Sequence, residues 1–152
     1  GRWSPETEIL LFTAARRDHV EKTVQPALDA GRVIISDRFA DSTRVYQGAA
    51  RAGLRGKVDL LHEAMIGLEP DLTFVIDMDP VMSLGRGLAR GHGEDRFESL
   101  GLAFQEALRA GFNALAAEFP ERVRVIDGNR PVAEVAAEVI GIARAHLEAT
   151  HG

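Results

Sequence analysis

The spacing of hydrophobic and polar positions predicts a series of helices along the chain. The first begins at Ser4-Pro5, because serine is a favoured N-cap and proline fits the first helical position. Helical spacing then continues to Pro26, which is expected to break or kink the helix, and Gly31 should end the short piece that follows. Further helices are predicted at about residues 57–66, after Asp79-Pro80, at about 97–119 before Pro120, and at about 131–148.

Three short apolar runs rich in β-branched residues predict buried strands. They are RVIISDRF (32–39), DLTFVIDM (71–78) and RVRVIDG (122–128). Such strands, alternating with helices, are typical of a three-layer α/β fold in which helices flank both faces of a parallel sheet. Residues 40–56 are polar and contain glycine, so we expect a loop there. With 152 residues and no internal repeat or linker, the chain fits a single domain.

Aspartates follow all three predicted strands. In parallel sheets of this kind, ligands bind beyond the carboxyl ends of the strands. This rule places Asp37-Arg38, residues 77–79 and Asp127-Gly128-Asn129 along one functional edge. The aspartates could form a cation-dependent site or could cap helices and turns. For Asp79, before a proline, and Asp127, before a turn, capping is the favoured interpretation.

Composition narrows the class of protein. Hydrophobic residues make up 45% and charged residues 27%, as in soluble globular proteins, and no apolar run approaches the length of a membrane span. The absence of cysteine excludes disulfides and thiolate metal sites, and the five histidines lack metal-ligand spacing. A net charge of −5 disfavours general nucleic-acid binding. We therefore expect a cytoplasmic protein that binds neither nucleic acid nor a membrane.

Arginine greatly outnumbers lysine in this chain. Of the 18 basic residues, only Lys22 and Lys57 are lysines. The planar guanidinium suits bidentate binding of phosphate, although codon bias would explain the ratio equally well. Seven arginines fall in two predicted loops that contain glycine, namely Arg38, Arg44, Arg51 and Arg55 in the first and Arg86, Arg90 and Arg96 in the second. Such loops indicate either phosphoryl transfer, which needs mobile positive charge, or simply a solvated basic surface.

Phe12 and Arg16 are four residues apart and share one face of the first predicted helix. An aromatic ring beside a guanidinium could stack on a base while the cation reaches an oxygen. Phe12 on its own is more often a core residue. Tyr46 is the only tyrosine and lies in the polar segment, which weakens a core interpretation for it.

Five segments, in order, resemble the thymidylate kinase family. The most specific is SDRFADSTRVYQGAAR (36–51), which resembles the family's DR[YFH]…S[TN]..YQG motif. The others are LLFTAARRDHVEKTVQPALDAG (10–31), PDLTFVIDMDP (70–80), RGLARGHGEDRFE (86–98) and IDGNRP (126–131). The resemblance implies a P-loop-kinase-like fold with a lid at about 85–96. It also implies an enzyme of dTTP biosynthesis that transfers the γ-phosphoryl group of ATP to dTMP with Mg²⁺, usually as a homodimer.

The resemblance also implies roles around the acceptor nucleotide. Phe12 would stack on thymine, and Arg16 would reach the base oxygen and the monophosphate region. Thr43 would hydrogen-bond the pyrimidine edge, with Gln47 close by. Tyr46 would pack under the sugar, where a 2′-hydroxyl has no room.

The resemblance implies further contacts with the acceptor phosphate, with magnesium and with the adenine of ATP. Arg38 would clamp the acceptor phosphate, and Asp37 would assist the magnesium environment through water. Arg86 would lie against adenine, opposite Asn129 and Arg130.

Two lid arginines, Arg90 and Arg96, would reach the transferring phosphoryl group. Glu98 resembles a family acid just after the lid. Leu88 stands where such lids often have a further arginine, which leaves the division of labour among the lid arginines open.

The chain departs from the family in one respect, since it contains no GxxxxGK[ST] sequence. In the family that loop follows the first strand, which lies in the sheet between the counterparts of RVIIS and TFVID. We therefore expect a sheet without its central strand, with those two runs about 10 Å apart. The chain would be incomplete at its N-terminus and alone would lack efficient kinase activity. Alternatives are a non-catalytic nucleotide-binding module and a related kinase for another nucleotide or nucleoside.

Overall fold

The computed structural model describes residues 3–49, 53–83 and 101–151. These residues belong to two compact units, 1–69 and 70–152, and the prediction of a single domain stays a prediction. None of the described helices is long and apolar enough to cross a bilayer. The predicted lid lies outside the described residues, and with it Arg86, Leu88, Arg90, Arg96 and Glu98; so does Arg51.

The first helix of unit 1, α1 (Pro5–His19), begins where the sequence predicts. The side chain of Ser4 accepts a hydrogen bond from the backbone N–H of Thr7 at 3.2 Å, and Pro5 occupies the first turn. Thr13 faces the interior and donates its hydroxyl to the Ile9 carbonyl at 2.7 Å. The N-cap prediction is confirmed.

The predicted break at Pro26 is absent, because the chain stays helical through this residue, and a kink there stays a prediction. Between α1 and α2 (Gln25–Asp29) the chain forms a wider π-type segment, Val20–Val24, closed by the N–H of Gln25 on the carbonyl of Val20. Pro26 therefore lies in the first turn of α2, directly after the wider segment. Gly31, with φ of 71°, ends this piece as predicted.

The first predicted strand does not form among the described residues. Residues 32–36 have no regular secondary structure, and Val33 and Ile35 are 58% and 95% exposed. A strand needs a neighbour to share its ladder hydrogen bonds, and unit 1 offers none in its described part. The expected spacing of about 10 Å to the second run stays a prediction.

The expectation of a loop over residues 40–56 is wrong for its first half. Residues Ala40–Thr43 form α3, which continues as a π-type segment, Arg44–Ala49. Helix α4 follows at Arg55–Met65, close to the predicted 57–66. The polar side chains of α3 and the π-type segment are mostly buried and paired, so polarity here did not mean solvent exposure. The apolar core of unit 1 comprises Ile9, Val20, Val24, Ala40, Val45 and Val58.

Unit 2 contains a two-stranded parallel sheet within its described part. Strands β1 (Thr73–Asp77) and β2 (Val123–Asp127) pair in register, so Asp77 lies opposite Asp127. Helices α5 (Gly101–Glu118) and α6 (Val132–His151) pack against β2. The second and third predicted strands and the last two predicted helices are therefore confirmed. The core includes Val75, Leu108, Leu115, Val123 and Ile126.

The end of β2 comes very close to the end of β1. The N–H of Gly128 donates to the carbonyl of Asp77 at 2.6 Å. A Cβ atom at position 128 would lie 2.8 Å from Cγ2 of Ile76 and 2.9 Å from that carbonyl oxygen. Glycine is therefore required here for space.

We expect Gly128→Ala to destabilise the chain by about 1–3 kcal/mol, as overpacking does at rigid sites. The measurement is urea unfolding followed by circular dichroism. Gly141→Ala is the matched control, because its Cβ would meet nothing within 4 Å inside α6, and about 0.5–1 kcal/mol of added stability is expected. A Gly128→Ala chain as stable as its parent would show that the two strand ends can separate without cost.

Candidate functional site

Arg16 joins α1 to α3. Its guanidinium donates one N–H group to Oγ1 of Thr43 at 2.7 Å and lies 3.4 Å from the carbonyl oxygen of Phe39. The Arg16 side chain is partly buried, and both burial and the neighbouring charge of Arg44 lower its pKa. The structure therefore brings together two of the residues that the sequence assigns to the pyrimidine edge.

Phe39 also lies at this site, although it is not among the predicted site residues. Its ring lies 5.4 Å from the Arg16 guanidinium, within the range of a cation–π contact. The imidazole of His62 meets the same ring edge-on, with centroids 6.3 Å apart. The signal was present in the sequence, since Phe39 fills the aromatic position of the DR[YFH] motif.

Phe12 lies on the same helix face as Arg16, one turn earlier, and is 39% exposed. The core alternative therefore does not describe it. One further turn back is Glu8, a buried carboxylate that accepts a hydrogen bond from Nε2 of Gln47 at 3.1 Å. Gln47 itself is only 1% exposed, and its hydrogen bond to Glu8 ties the segment Arg44–Ala49 to α1. The predicted contact of Gln47 with a base stays a prediction. Sequence reasoning missed Glu8, although its i, i+4 spacing to Phe12 was visible.

Arg38 has an unusual backbone conformation for a residue with a Cβ atom. Its φ of 67° is left-handed and costs about 1–2 kcal/mol in a non-glycine residue. Its guanidinium lies 5.4 Å from the centre of the Tyr46 ring, and its carbonyl accepts the hydroxyl of Ser36 at 2.8 Å. Strain of this kind is found most often at functional positions. Two predicted site residues, Arg38 and Tyr46, are thus in contact.

Asp37 is exposed beside Arg38. Within the described parts of the chain, no group of three or more acidic, histidine or cysteine side chains could enclose a metal ion. A cage of protein ligands is not formed by these residues. The predicted contact of Asp37 with magnesium stays a prediction.

Arg44 differs from its prediction as a loop arginine. It is 5% exposed and donates to Oδ1 of Asp41 at 2.8 Å, Oδ1 of Asp59 at 2.8 Å and Oε1 of Glu69 at 2.5 Å. Arg55 lies in α4 and donates to the other oxygen of Asp59 at 2.7 Å. The solvated-loop and mobile-arginine interpretations are therefore both wrong for Arg44, because a buried guanidinium with three carboxylate partners cannot move freely.

Glu69 connects Arg44 to His62. Its Oε1 atom lies 2.9 Å from Nε2 of His62 and 2.5 Å from the Arg44 guanidinium. Partial burial acts to raise the pKa of Glu69, but the close approach of His62 and the hydrogen bonds from Arg44 outweigh it and lower the pKa to about 2. Burial likewise acts to lower the pKa of Arg44, and its three carboxylate partners raise it above its usual value.

In unit 2, aspartates at the strand ends have structural partners. Asp77 forms a bidentate pair with Arg109, with both N–O distances at 2.7 Å, and those hydrogen bonds lower the pKa of Asp77. Oδ1 of Asp79 accepts the N–H groups of Val81 and Met82 at 2.9 and 3.3 Å, which caps the helical turn at 80–83. Capping is therefore confirmed for Asp79.

The turn after β2 is closed by similar contacts. Oδ1 of Asp127 accepts the N–H of Asn129 at 2.9 Å, as the capping interpretation requires. Oδ1 of Asn129 accepts the N–H of Asp79 at 3.0 Å, and Arg130 pairs with Glu138. The predicted contacts of Asn129 and Arg130 with a donor nucleotide stay predictions, and both residues stabilise the turn in addition.

The fold defines the class of the protein. A crystal structure of thymidylate kinase from Ehrlichia chaffeensis matches this chain with a TM-score of 0.72 at 31% sequence identity, over 94% of this chain and 66% of that one. With its parallel sheet and packed helices, the chain has the P-loop-kinase-like α/β fold predicted from the resemblance.

The family follows from sequence comparison. A family model described as thymidylate kinase matches residues 1–139. Relatives named thymidylate kinase come from Dinoroseobacter shibae, 70% identical over 96% of this chain, and Ruegeria pomeroyi, 59% identical over 98%. The chain spans 69% and 71% of those relatives, and 62% of a third, from Jannaschia, to which it is 64% identical. This chain belongs to the thymidylate kinase family, whose enzymes phosphorylate dTMP to dTDP with ATP.

The lowered pKa of Glu69 gives a prediction for stability at low pH. Its folded-state pKa of about 2 lies below the ordinary value of 4.5 for a glutamate, so its ion pairs stabilise the fold above about pH 4.5. That contribution disappears as the pH falls through 2. We expect Glu69→Gln to be less stable than the parent near neutral pH, with a difference that shrinks between pH 4.5 and pH 2.

The measurement is the urea midpoint of parent and variant at pH 7, 4.5, 3 and 2. Glu63→Gln, at an exposed position of α4, is carried through the same series as the control. A Glu69→Gln deficit that stays constant down to pH 2 would contradict the assignment of the ion pairs.

Proposed function

We propose that this chain binds dTMP through α1, α3 and the second π-type segment, Arg44–Ala49. We further propose that the enzyme containing this chain transfers the γ-phosphoryl group of ATP to dTMP. The observation that carries the proposal is the 2.7 Å hydrogen bond from Arg16 to Thr43. It joins two residues that are far apart in sequence and that the family resemblance assigns to one base. Phe12, exposed on the same face of α1, completes a surface suited to a pyrimidine.

Hydrogen-bond capacity supports recognition of a pyrimidine. The Thr43 hydroxyl has two lone pairs and one proton, and Arg16 uses one lone pair. The second lone pair can accept N3–H of thymine. Arg16 has five N–H donors, which leaves it able to reach a base oxygen as well. The exposed face of Phe12 offers the stacking contact.

The acceptor phosphate is assigned to Arg38. Its guanidinium lies over Tyr46 on an exposed residue, so it is accessible to a dianion. The sugar between base and phosphate would then pass close to Tyr46. Mg²⁺ with the donor phosphates would neutralise charge that develops during transfer, and Asp37 would contact it through water.

The proposed contacts with the phosphoryl donor, ATP, are based on the family resemblance. Arg86 would lie against adenine near Asn129 and Arg130, and the lid arginines Arg90 and Arg96 would face the transferring phosphoryl group. A homodimer in the cytoplasm, without nucleic-acid or membrane partners, completes the proposal.

The base assignment predicts selective stabilisation by dTMP. Saturating dTMP, at about 100 times its Kd, should stabilise the folded chain by about 2.7 kcal/mol, and UMP or dGMP by much less. Thermal unfolding at equal ligand concentrations measures the difference. Phe12→Ala should lose most of the dTMP shift, whereas Leu11→Ala, the exposed neighbour on another helix face, should keep it. Equal shifts with all three nucleotides would overturn the thymine assignment.

The phosphate assignment predicts a kinetic effect of Arg38→Ala. A lost charge-assisted hydrogen bond is worth about 1.5–3 kcal/mol, so kcat/KM for dTMP should fall roughly tenfold to a hundredfold. Alanine keeps a Cβ, so the strain at φ 67° is unchanged and the loss reports the guanidinium. Initial rates are measured on the full-length product of the gene. Arg32→Ala, an exposed arginine in the same connection, is the control. Unchanged kinetics of Arg38→Ala would remove it from the site.

A further inference from the structure

Arg44 gathers carboxylates from three separate parts of unit 1. Asp41 belongs to α3, Asp59 to α4, and Glu69 to the connection after α4. All three guanidinium nitrogens are used: Nε donates to Asp59, Nη2 donates to Glu69, and Nη1 donates to Asp41 and, at 3.2 Å, also to Glu69. The guanidinium therefore fixes the π-type segment against α4 and against the end of the unit.

The position of Arg44 in the sequence links this anchor to the proposed dTMP site. It directly follows Thr43 and precedes Tyr46 by two residues. Successive residues of a helix point about 100° apart, so Thr43 can face Arg16 while Arg44 faces the carboxylates. The helix widens from Arg44 onward, and such π-type segments depend on contacts outside the helix for their geometry.

Arg44 is unsuited to contacting the nucleotide itself. Its side chain is 6% exposed, and three carboxylates surround it. The cluster of Asp41, Asp59 and Glu69 against Arg44 and Arg55 has no excess positive charge to attract a phosphate. An effect of Arg44 on dTMP is therefore expected through the residues that it holds in place and not through contact with the nucleotide.

We propose that Arg44 is a positioning residue that sets dTMP affinity by holding Thr43 and Tyr46 in register with Arg16, without touching the nucleotide. The proposal rests on the proposed function. A lysine could not replace Arg44, because an ammonium group lacks the planar fork that reaches three carboxylates at fixed angles.

The main test is Arg44→Lys in the full-length gene product, at a temperature where circular dichroism shows it folded. We expect the KM for dTMP to rise about tenfold, and kcat and the KM for ATP to stay within about twofold. Arg17→Lys is the control, because Arg17 forms a half-exposed ion pair with Glu21 on α1. It should change none of the three constants. An unchanged KM for dTMP in Arg44→Lys, or an equal loss in all constants, would overturn the proposal.

Chemical rescue separates positioning from general damage. In Arg44→Ala, guanidinium ion at about 50 mM should lower the raised KM for dTMP, whereas methylammonium, with the same charge but no fork, should not. Equal rescue by both cations, or by neither, counts against the proposal.

If the Arg44 variants do not fold, Asp59→Asn provides the test, because it removes one carboxylate partner of the Arg44 guanidinium and leaves the other two. A rise of about threefold in the KM for dTMP is then expected, and no rise overturns the proposal. Failure of the proposed function itself would look different, since the parent would then show no selective stabilisation by dTMP.

Discussion

The arrangement of unit 1 depends on the burial of one guanidinium group. A buried cation is tolerated only when its partners offset the cost of removing it from water, and three carboxylates do so for Arg44. Those carboxylates come from α3, α4 and the connection after α4, so Arg44 ties the segment Arg44–Ala49 to all three. Thr43, the residue before Arg44, accepts a hydrogen bond from Arg16. The Arg44 cluster therefore lies next in sequence to a residue of the proposed base site, and its contacts act on the segment that carries Thr43.

The features of the fold that were predictable from the sequence are those determined by local chemistry. Ser4-Pro5 begins α1 because its hydroxyl and ring act within one turn, and β1 and β2 form where apolar β-branched runs pair with each other. The prediction of a strand at residues 32–36 is wrong, because a strand also needs a neighbouring strand, and a local sequence pattern does not supply one. The segment from 40 to 49 is helical and not a loop, because its polar groups are buried and paired inside the unit, which a polar sequence does not reveal.

For the candidate site, too, some features were predictable from the sequence and others were not. The resemblance named Arg16 and Thr43, and the structure places them in contact. Neither resemblance nor composition indicated that Glu8 holds Gln47, or that Arg44 is an anchor, because residue type does not reveal a partner about 15 to 40 positions away. Such pairings are set by packing of whole elements, which a one-dimensional pattern does not contain.

The left-handed backbone of Arg38 has an evolutionary consequence. Glycine or asparagine would occupy that conformation at lower cost, so arginine persists there only while its guanidinium is needed. An exchange that relieves this strain, such as Arg38→Gly, would therefore remove the guanidinium that the proposed function assigns to the acceptor phosphate.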